Sequence, residues 1–399
     1  MSTQAFAIDG MLPAFPVIAA AFGVVDENHV QLIVTYYMAG LGCGQLFWGM
    51  LADRFGRRRI LMTGLALYVL AALVCCLVSS FPALLIARFV HGVAAASVTA
   101  MRSVIRDLYA GRHMARVMSL TFVVFLMVPI LAPSFGALIL MLAPWRAIFG
   151  AIGAFAALVA VWLALRLPET LRPAYRLTLD PAHIGRAMKL VLWNRQSMFY
   201  TFAMTVMFAS MMAYVGQVQQ IFADIFHRPT WMPGMFALCA VFMAIGSFAN
   251  SRIVERYGMR LISQTALLFF TGITGLHALV AYAGLETMGS FVALQALTLG
   301  AVALTVANFG AMAMEPLGAV AGIAASLQGF VSTFTGALIG GGIGRLFNGT
   351  TLPLAVGAMG CGIAALLFVL AAERGRLFVA QHVDDGKTAG GIIESAGVH

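Results

Sequence analysis

The chain has 399 residues, of which 61% are hydrophobic and only 10% are charged, and its mean hydropathy is +0.94. Ordinary soluble domains carry roughly 25% charged residues, so this composition excludes a water-soluble globular protein. The sequence contains no HExxH motif, no Walker loop and no nucleophile elbow. These absences argue against an enzyme and against ATP-driven transport by this chain.

Apolar runs of about 18 to 25 residues, each long enough to cross a bilayer as a helix, recur along the sequence. They lie at 5–23, 32–51, 60–79, 82–105, 117–141, 146–166, 198–224, 232–250, 261–283, 289–310, 320–346 and 351–372. Because the runs are continuous rather than alternating, they predict helices and not barrel strands. We therefore expect an all-α membrane protein with twelve transmembrane helices. No cleavable signal peptide is visible, so we expect the first run to remain in the mature protein.

A polar segment divides the predicted helices into two sets of six. We assign residues 1–166 to an N-terminal bundle, 167–197 to a linker, 198–372 to a C-terminal bundle and 373–399 to a tail. The linker contains an amphipathic stretch around Pro181–Lys189, which we expect to lie along the membrane surface. The tail has too little apolar content to pack, and we expect it to be disordered.

The basic residues are unevenly distributed among the predicted loops. Of 24 lysines and arginines, 19 fall in the even-numbered loops and the tail. The positive-inside rule therefore predicts that both termini are cytoplasmic, as in a multi-pass protein of a bacterial inner membrane. Because the net charge of +9 reflects topology, we expect no nucleic-acid partner.

The five cysteines all fall inside predicted helices, without metal-ligand spacing or a CxxC pair. We interpret them as small packing residues. The sequence predicts no metal and no cofactor. Because it has no ATP-binding motif either, any transport by this chain would draw its energy from an ion gradient or from the gradient of the substrate itself.

One short motif is repeated in the two halves of the sequence. Asp53-Arg54-Phe55-Gly56-Arg57-Arg58 follows the second run, and Glu255-Arg256-Tyr257-Gly258-Met259-Arg260 follows the eighth, 202 residues later. The same order of acid, arginine, aromatic residue and glycine at equivalent places is typical of a transporter built from parallel repeats.

The stretch from Gly49 to Arg59 resembles the loop between helices two and three of the major facilitator superfamily. That resemblance implies two pseudo-symmetric six-helix bundles. It also implies a cluster that holds the halves together on the cytoplasmic side and breaks when the transporter opens inward. We call this cluster the cytoplasmic latch; it comprises Gly49, Asp53, Arg54, Gly56, Arg57 and Arg58, with Glu255, Arg256 and Gly258 as the second copy.

Further stretches resemble the Bcr/CflA subfamily of twelve-helix drug:proton antiporters. They are Ile8-Asp9-Gly10-Met11-Leu12-Pro13-Ala14-Phe15-Pro16, Ala87-Arg88-Phe89-Val90-His91-Gly92, Ile105-Arg106-Asp107-Leu108-Tyr109, Asn250-Ser251-Arg252 and Ala324-Ala325-Ser326-Leu327. Two departures stand out. In the fifth helix, Ala132-Pro133-Ser134-Phe135-Gly136-Ala137 keeps the proline and only one of the glycines of the antiporter motif. Only eight residues precede Asp9, which raises the question of a trimmed or misassigned start.

The resemblance implies functional roles for several residues. Of the 15 acidic residues, we predict that Asp9 is the one whose carboxylate lies deep in the membrane. Asp9 would couple transport to protons. Arg88 would supply a fixed charge to the cavity, unless it is a structural arginine bonded to helix carbonyls. We interpret His91 as a packing residue. Pro133 and Gly136 would serve helix packing, and the substrate cavity would be lined by residues such as Tyr36, Met211, Tyr214, Gln217 and Asn308.

The function implied is a proton-coupled antiporter that exports small lipophilic or amphipathic compounds by alternating access. Its partners would be a small-molecule substrate, protons and membrane lipids, and it would act as a monomer. One alternative is an exporter of a specific metabolite such as an amino acid or a sugar. Another is a membrane sensor or binding platform that no longer transports.

Overall fold

The computed structural model describes residues 2–108, 111–171 and 181–378, and the regular elements in this part of the chain are all helical. Predictions about the tail after residue 378 and about linker residues 172–180 therefore lie outside the described residues.

Six long helices, α1 to α6, make up the first half. The helix α1 consists of Ser2–Asp9, a 3₁₀ turn at Leu12–Ala14 and Phe15–Phe22, and α4 consists of Phe81–Ala95, a 3₁₀ turn at Ala96–Thr99 and Ala100–Leu108. The others are α2 at Leu32–Phe55, α3 at Arg57–Leu77, α5 at Gly111–Leu142 and α6 at Arg146–Arg166.

A linker helix, Pro181–Trp193, precedes the six helices of the second half. The helix α7 spans Arg195–Gln220 and continues into a π turn at Ile221–Ile225, and α11 consists of Ala321–Phe330, a π turn at Val331–Thr335 and Gly336–Gly344. The others are α8 at Met232–Tyr257, α9 at Met259–Tyr282, α10 at Met288–Met314 and α12 at Leu352–Ala372.

The number of membrane-crossing helices agrees with the sequence. Within the described residues, eleven helices are long and apolar enough to span a bilayer. The remaining run, 117–141, lies in α5, which is 32 residues long and ends in the apolar stretch Ile130–Leu142. The predicted all-α fold with twelve spanning helices is confirmed.

The repeated motif also has a similar backbone conformation in the two halves. Gly56 has φ 101° and Gly258 has φ 79°, conformations that favour glycine. Each glycine ends one helix and begins the next: its N–H donates to Ala52 or Val254, and its carbonyl accepts from Ile60 or Ile262. The repeated sequence therefore forms the same helix–turn–helix connection in both halves.

The first helix is interrupted immediately after Asp9. Pro13 and Pro16 have no N–H, so the α-helical hydrogen bonds to the residues four positions before them cannot form. The Met11 amide turns to the Ile8 carbonyl at 3.4 Å instead of continuing the α-helical pattern. The break therefore leaves the Ala7 carbonyl available to a neighbouring helix.

Candidate functional site

Asp9 lies at the break in α1 and is buried, with 6% of its surface exposed. Among the described residues, its carboxylate has neither a hydrogen bond nor an ion-pair partner. It interacts electrostatically with Tyr214 of α7, in the other half of the molecule. The Tyr214 ring is also buried and stacks on Phe236 at 5.8 Å with an interplanar angle of 7°. An uncompensated acid therefore lies where the two halves meet.

The fifth helix contacts α1 directly beside this acid. A Cβ atom added to Gly136 would collide with the carbonyl oxygen of Gly10, the residue that follows Asp9. The surviving glycine of the antiporter-like motif thus allows the two backbones to touch. Pro133 lies one turn earlier on the same helix, and its neighbour Ala132 is buried. The motif fixes the position of the broken segment that carries Asp9.

Arg88, which the resemblance associates with the cavity, lies in the interior of the first half in this structure. Its side chain is fully buried within the first half. The guanidinium donates to the Ala7 carbonyl at 3.0 Å and to the Ile33 carbonyl at 3.3 Å, and it lies 4.3 Å from the Tyr37 ring centroid. A buried cation must replace its hydration with such oxygens and ring faces, and the break in α1 supplies one of them. This environment is the one expected for the alternative interpretation of Arg88, a structural arginine bonded to helix carbonyls.

His91 belongs to the same buried cluster. Its Nδ1 lies 3.2 Å from Arg88, and its ring centroid lies 4.1 Å from that of Tyr68 and 5.4 Å from that of Tyr37. The Tyr68 hydroxyl in turn donates to the Thr3 carbonyl at 2.8 Å. The arrangement joins α1, α2, α3 and α4, in keeping with the interpretation of His91 as a packing residue.

The first copy of the cytoplasmic latch makes its described contacts mainly within its own half. Asp53 pairs with Arg57 at 3.6 Å, and the Arg57 amide donates to Glu169, just after α6, at 2.9 Å. Arg58 donates to the Ala164 carbonyl at 2.7 Å, while Arg54 lies over the neighbouring Phe55 ring. These bonds tie the α2–α3 turn, including Gly56, to the end of α6.

The second copy is arranged differently. Glu255 and Arg256 are exposed, and the Arg256 guanidinium lies 5.3 Å from the Tyr257 ring centroid. The neighbouring Arg260 instead binds Glu373 at 2.8 Å, and Glu373 also accepts from the Tyr200 hydroxyl at 2.5 Å. Sequence reasoning missed this cluster because Glu373 lies far along the chain, after α12.

The two halves meet closely along α2 and α11. At the linker-helix end, a Cβ atom on Gly49 would lie 3.3 Å from Ser326 Oγ. Further along, Gln45 Nε2 donates to Thr333 Oγ1, in the π turn of α11, at 3.4 Å. We call this contact the α2–α11 seam. Among the latch residues, Gly49 is the one placed against the second half by these contacts.

At the opposite end, uncharged amides bind the halves together. Gln31 Nε2 donates to Gln220 Oε1 at 2.5 Å and to the Gly344 carbonyl at 3.2 Å. Asn28 accepts from Gln220 at 3.0 Å and donates to the Phe347 carbonyl at 3.1 Å. Gln31, Gln220 and Gly344 belong to different helices or helix ends in the two halves, so this set, which we call the amide clasp, closes that end.

The candidate cavity residues do not form one group. Tyr214 and Gln217 are buried on α7 with Met211 beside them, and Tyr214 lies about 28 Å from the start of that helix. Asn308 bonds Asn250 at 2.7 Å and lies about 9 Å from the Met314 end of α10, at the opposite end of the second half. Tyr36 on α2 is 39% exposed. Tyr214 is therefore the one of these residues with a described interaction with Asp9.

The side chain of Glu286, in the second half, is also largely covered. Glu286 accepts from Thr351 and lies 2.6 Å from His277 Nε2, with side-chain exposures of 10% for Glu286 and 2% for His277. Glu286 lies in the turn between α9 and α10, and its carboxylate contacts His277 of α9 and Thr351, the residue before α12. All three residues belong to the second half, so Asp9 remains the buried acid between the halves. The described residues contain no group of three or more metal-ligating side chains.

The sequence matches the family model described as Major Facilitator Superfamily over residues 2–341. It is 31% identical over 367 residues to a bicyclomycin resistance protein homolog of Haemophilus influenzae, covering 91% of each chain. It is also 29% identical over 273 residues to the multidrug resistance protein MdtL of Klebsiella pneumoniae, covering 67% of this chain and 68% of that protein.

Solved structures share the fold. A peptide transporter, POT, in complex with alafosfalin matches with a TM-score of 0.71 at 16% identity, covering 94% of this chain and 92% of that one. A D-xylose-proton symporter matches with a TM-score of 0.67 at 15% identity, covering 95% of this chain and 96% of that one. At such identities the likeness concerns the fold.

Proposed function

Because the chain belongs to the Major Facilitator Superfamily and is a multi-pass membrane transporter rather than an enzyme, we propose that it exports lipophilic or amphipathic compounds in exchange for protons. Antibiotics are among the compounds expected, since the matched relatives are named for resistance to bicyclomycin and to multiple drugs. The observation that carries the proton coupling is Asp9, a buried carboxylate without a counter-ion in the described structure.

An ionised carboxylate is costly in a membrane interior, and intramembrane acids mark ion and proton pathways. Asp9 would therefore hold a proton while it is occluded and release it when its side of the site fills with water. Its position at the break in α1, next to Tyr214 of the other half, supports this role. A change of charge on Asp9 alters an interaction between the halves, and so can be linked to their relative movement.

Alternating access requires the contacts between the halves to open at one end at a time. The amide clasp would open toward the outside to release the exported compound. The Gly49 end of the α2–α11 seam would open toward the cytoplasm to admit it. We place the protein in the bacterial inner membrane with both termini and the linker helix on the cytoplasmic side, because the basic residues concentrate there.

Reconstitution tests the proposal. Purified protein in liposomes is given an imposed pH gradient, and the movement of a lipophilic fluorescent dye is followed together with the release of protons. We expect dye accumulation that requires the gradient and is abolished by a protonophore. Dye movement at the same rate with and without the pH gradient would contradict proton exchange. Gradient-driven movement of amino acids or sugars, but not of dyes, would contradict the proposed cargo.

A further inference from the structure

The linker helix presents one face to the rest of the protein. Val191 and Ala187, one turn apart, are 1% and 4% exposed. Val191 packs with Leu317 and Leu327 in a cluster that also contacts Leu46 of α2. The linker helix therefore packs against α11, beside the α2–α11 seam, and this packing sets which of its faces points outward.

The opposite face has no partner in the described structure. Arg186, Lys189, Leu190 and Trp193 are exposed and follow one another at helical spacing, so they share one face. Leu190 is 53% exposed and Trp193 is 76% exposed, and Lys189 Nζ lies 5.8 Å from the Trp193 ring centroid. We call these four residues the basic–aromatic face.

Within the described residues, no acidic side chain neutralises the charge of this face. The helix Pro181–Trp193 contains no acidic residue, and among the described residues neither Arg186 nor Lys189 has an ion-pair partner. The hydrogen bond described for Arg186 goes to the Ala182 carbonyl of its own helix. Two cations beside two large apolar side chains leave a surface that suits an anion attached to an apolar body.

The position of the helix indicates which class of anion this surface would bind. Trp193 is separated from the spanning helix α7 by Asn194 alone, and Asn194 caps α7 by accepting from the Ser197 amide at 2.9 Å. The basic–aromatic face therefore adjoins the first residues of a helix that is long and apolar enough to span a bilayer. Tryptophan is enriched at the boundary between bilayer and water, and basic side chains there meet lipid headgroups.

We propose that the basic–aromatic face binds anionic phospholipids, with Arg186 and Lys189 contacting the phosphate and Trp193 and Leu190 lying among the upper acyl chains. On its other side the helix packs Val191 against Leu327 of α11, beside the α2–α11 seam, so a bound lipid would hold this part of α11 at the membrane surface. This inference is independent of the transported compound and of proton coupling.

Native mass spectrometry of the purified full-length protein tests the proposal, with phosphatidylglycerol and phosphatidylcholine titrated in parallel. We expect Arg186→Gln/Lys189→Gln to weaken phosphatidylglycerol binding roughly tenfold and to leave phosphatidylcholine binding unchanged. Trp193→Ala should weaken the binding of both lipids, because its ring contacts the chains rather than the charge.

Arg252→Gln is the matched control. It removes one exposed cation, stacked 5.2 Å from the Phe248 ring, near the same end of the molecule but outside the linker helix. It should change phosphatidylglycerol affinity less than twofold. Equal phosphatidylglycerol affinity in the wild type and the Arg186→Gln/Lys189→Gln variant would overturn the proposal, as would an equal loss in the control. Both readouts measure lipid binding, so failure here is distinct from failure of the transport assay.

Discussion

Gly49 and Ser326 face each other across the boundary between the two halves, so close that a Cβ atom on Gly49 would lie 3.3 Å from Ser326 Oγ. Both belong to stretches that resemble transporter motifs, yet they lie 277 positions apart in the sequence. Gly49 is therefore the residue of the cytoplasmic latch that contacts the second half. The charged residues of the latch instead bond the α2–α3 turn to the end of α6.

Cysteines at these two positions should form a disulfide. Their side chains would approach within the range of natural disulfides. We expect oxidised Gly49→Cys/Ser326→Cys protein to lose dye transport and to regain it on reduction, because the seam can no longer open. Loss of free thiols by mass spectrometry measures the bond, and the single-cysteine variants are the controls. Undiminished transport by fully oxidised protein would show that this seam stays closed throughout the cycle.

Weakening the amide clasp should favour conformations in which the two halves separate at that end of the molecule. Gln31→Ala removes two hydrogen bonds that join the halves, each worth about 1 kcal/mol. We expect alkylation of a cysteine at Thr35, the residue that contacts Gly341 beneath the clasp, to become about fivefold faster or more. Gln4→Ala is the control, since its bond to the Ala95 carbonyl lies within the first half. An equal increase in both variants would argue against the clasp as a gate.

The glycine contact beside Asp9 should tolerate no side chain. Gly136→Ala forces a methyl group into the Gly10 carbonyl oxygen, which is backbone and cannot move aside. Overpacking of this kind costs about 1–3 kcal/mol, so we expect lower thermal stability and impaired transport. Gly150→Ala on α6 has nothing within 4 Å of the added atom and should behave as wild type. Thermal unfolding in detergent measures both, and equal midpoints would refute the contact.

Neutralising Asp9 should separate binding from coupling. Asp9→Asn keeps the shape of the side chain but cannot titrate, so we expect it to bind hydrophobic dyes and to lose uphill export in response to a pH gradient. Asp26→Asn is the control, because Asp26 is exposed and caps a 3₁₀ turn by accepting from the Asn28 amide. Retained uphill export by Asp9→Asn would mean that protons, if coupled, travel by another route.

The two copies of the repeated turn should differ in importance. Asp53 pairs with Arg57, whereas Glu255 is exposed. We expect Asp53→Asn to reduce the transport rate several-fold at unchanged membrane content, and Glu255→Gln to have a smaller effect. Initial rates of dye efflux, normalised to protein in the membrane, provide the comparison. Equal losses in the two variants would contradict the difference between the halves.

The parts of the fold that depend on local composition could be predicted. Hydrophobic run length predicted the spanning helices, and the repeated motif predicted equivalent turns at Gly56 and Gly258. The sequence could not decide between a cavity charge and a structural arginine for Arg88, because it does not reveal that the break before Pro13 frees the Ala7 carbonyl for this side chain. The amide clasp was missed because single glutamines and asparagines form no recognisable motif.

The burial of Arg88 also bears on how the chain enters the membrane. An arginine inside a spanning helix has an insertion cost that reaches about 2.5–3.5 kcal/mol at the helix centre. Here the compensating oxygens belong to Ala7 and Ile33, in two helices that precede α4 in the chain. When α4 leaves the ribosome, α1 and α2 are already available to receive its charge. The order of helices along the chain therefore matches the order in which their partners are needed, and moving α1 to the end of the chain would leave Arg88 without one of its acceptors during insertion.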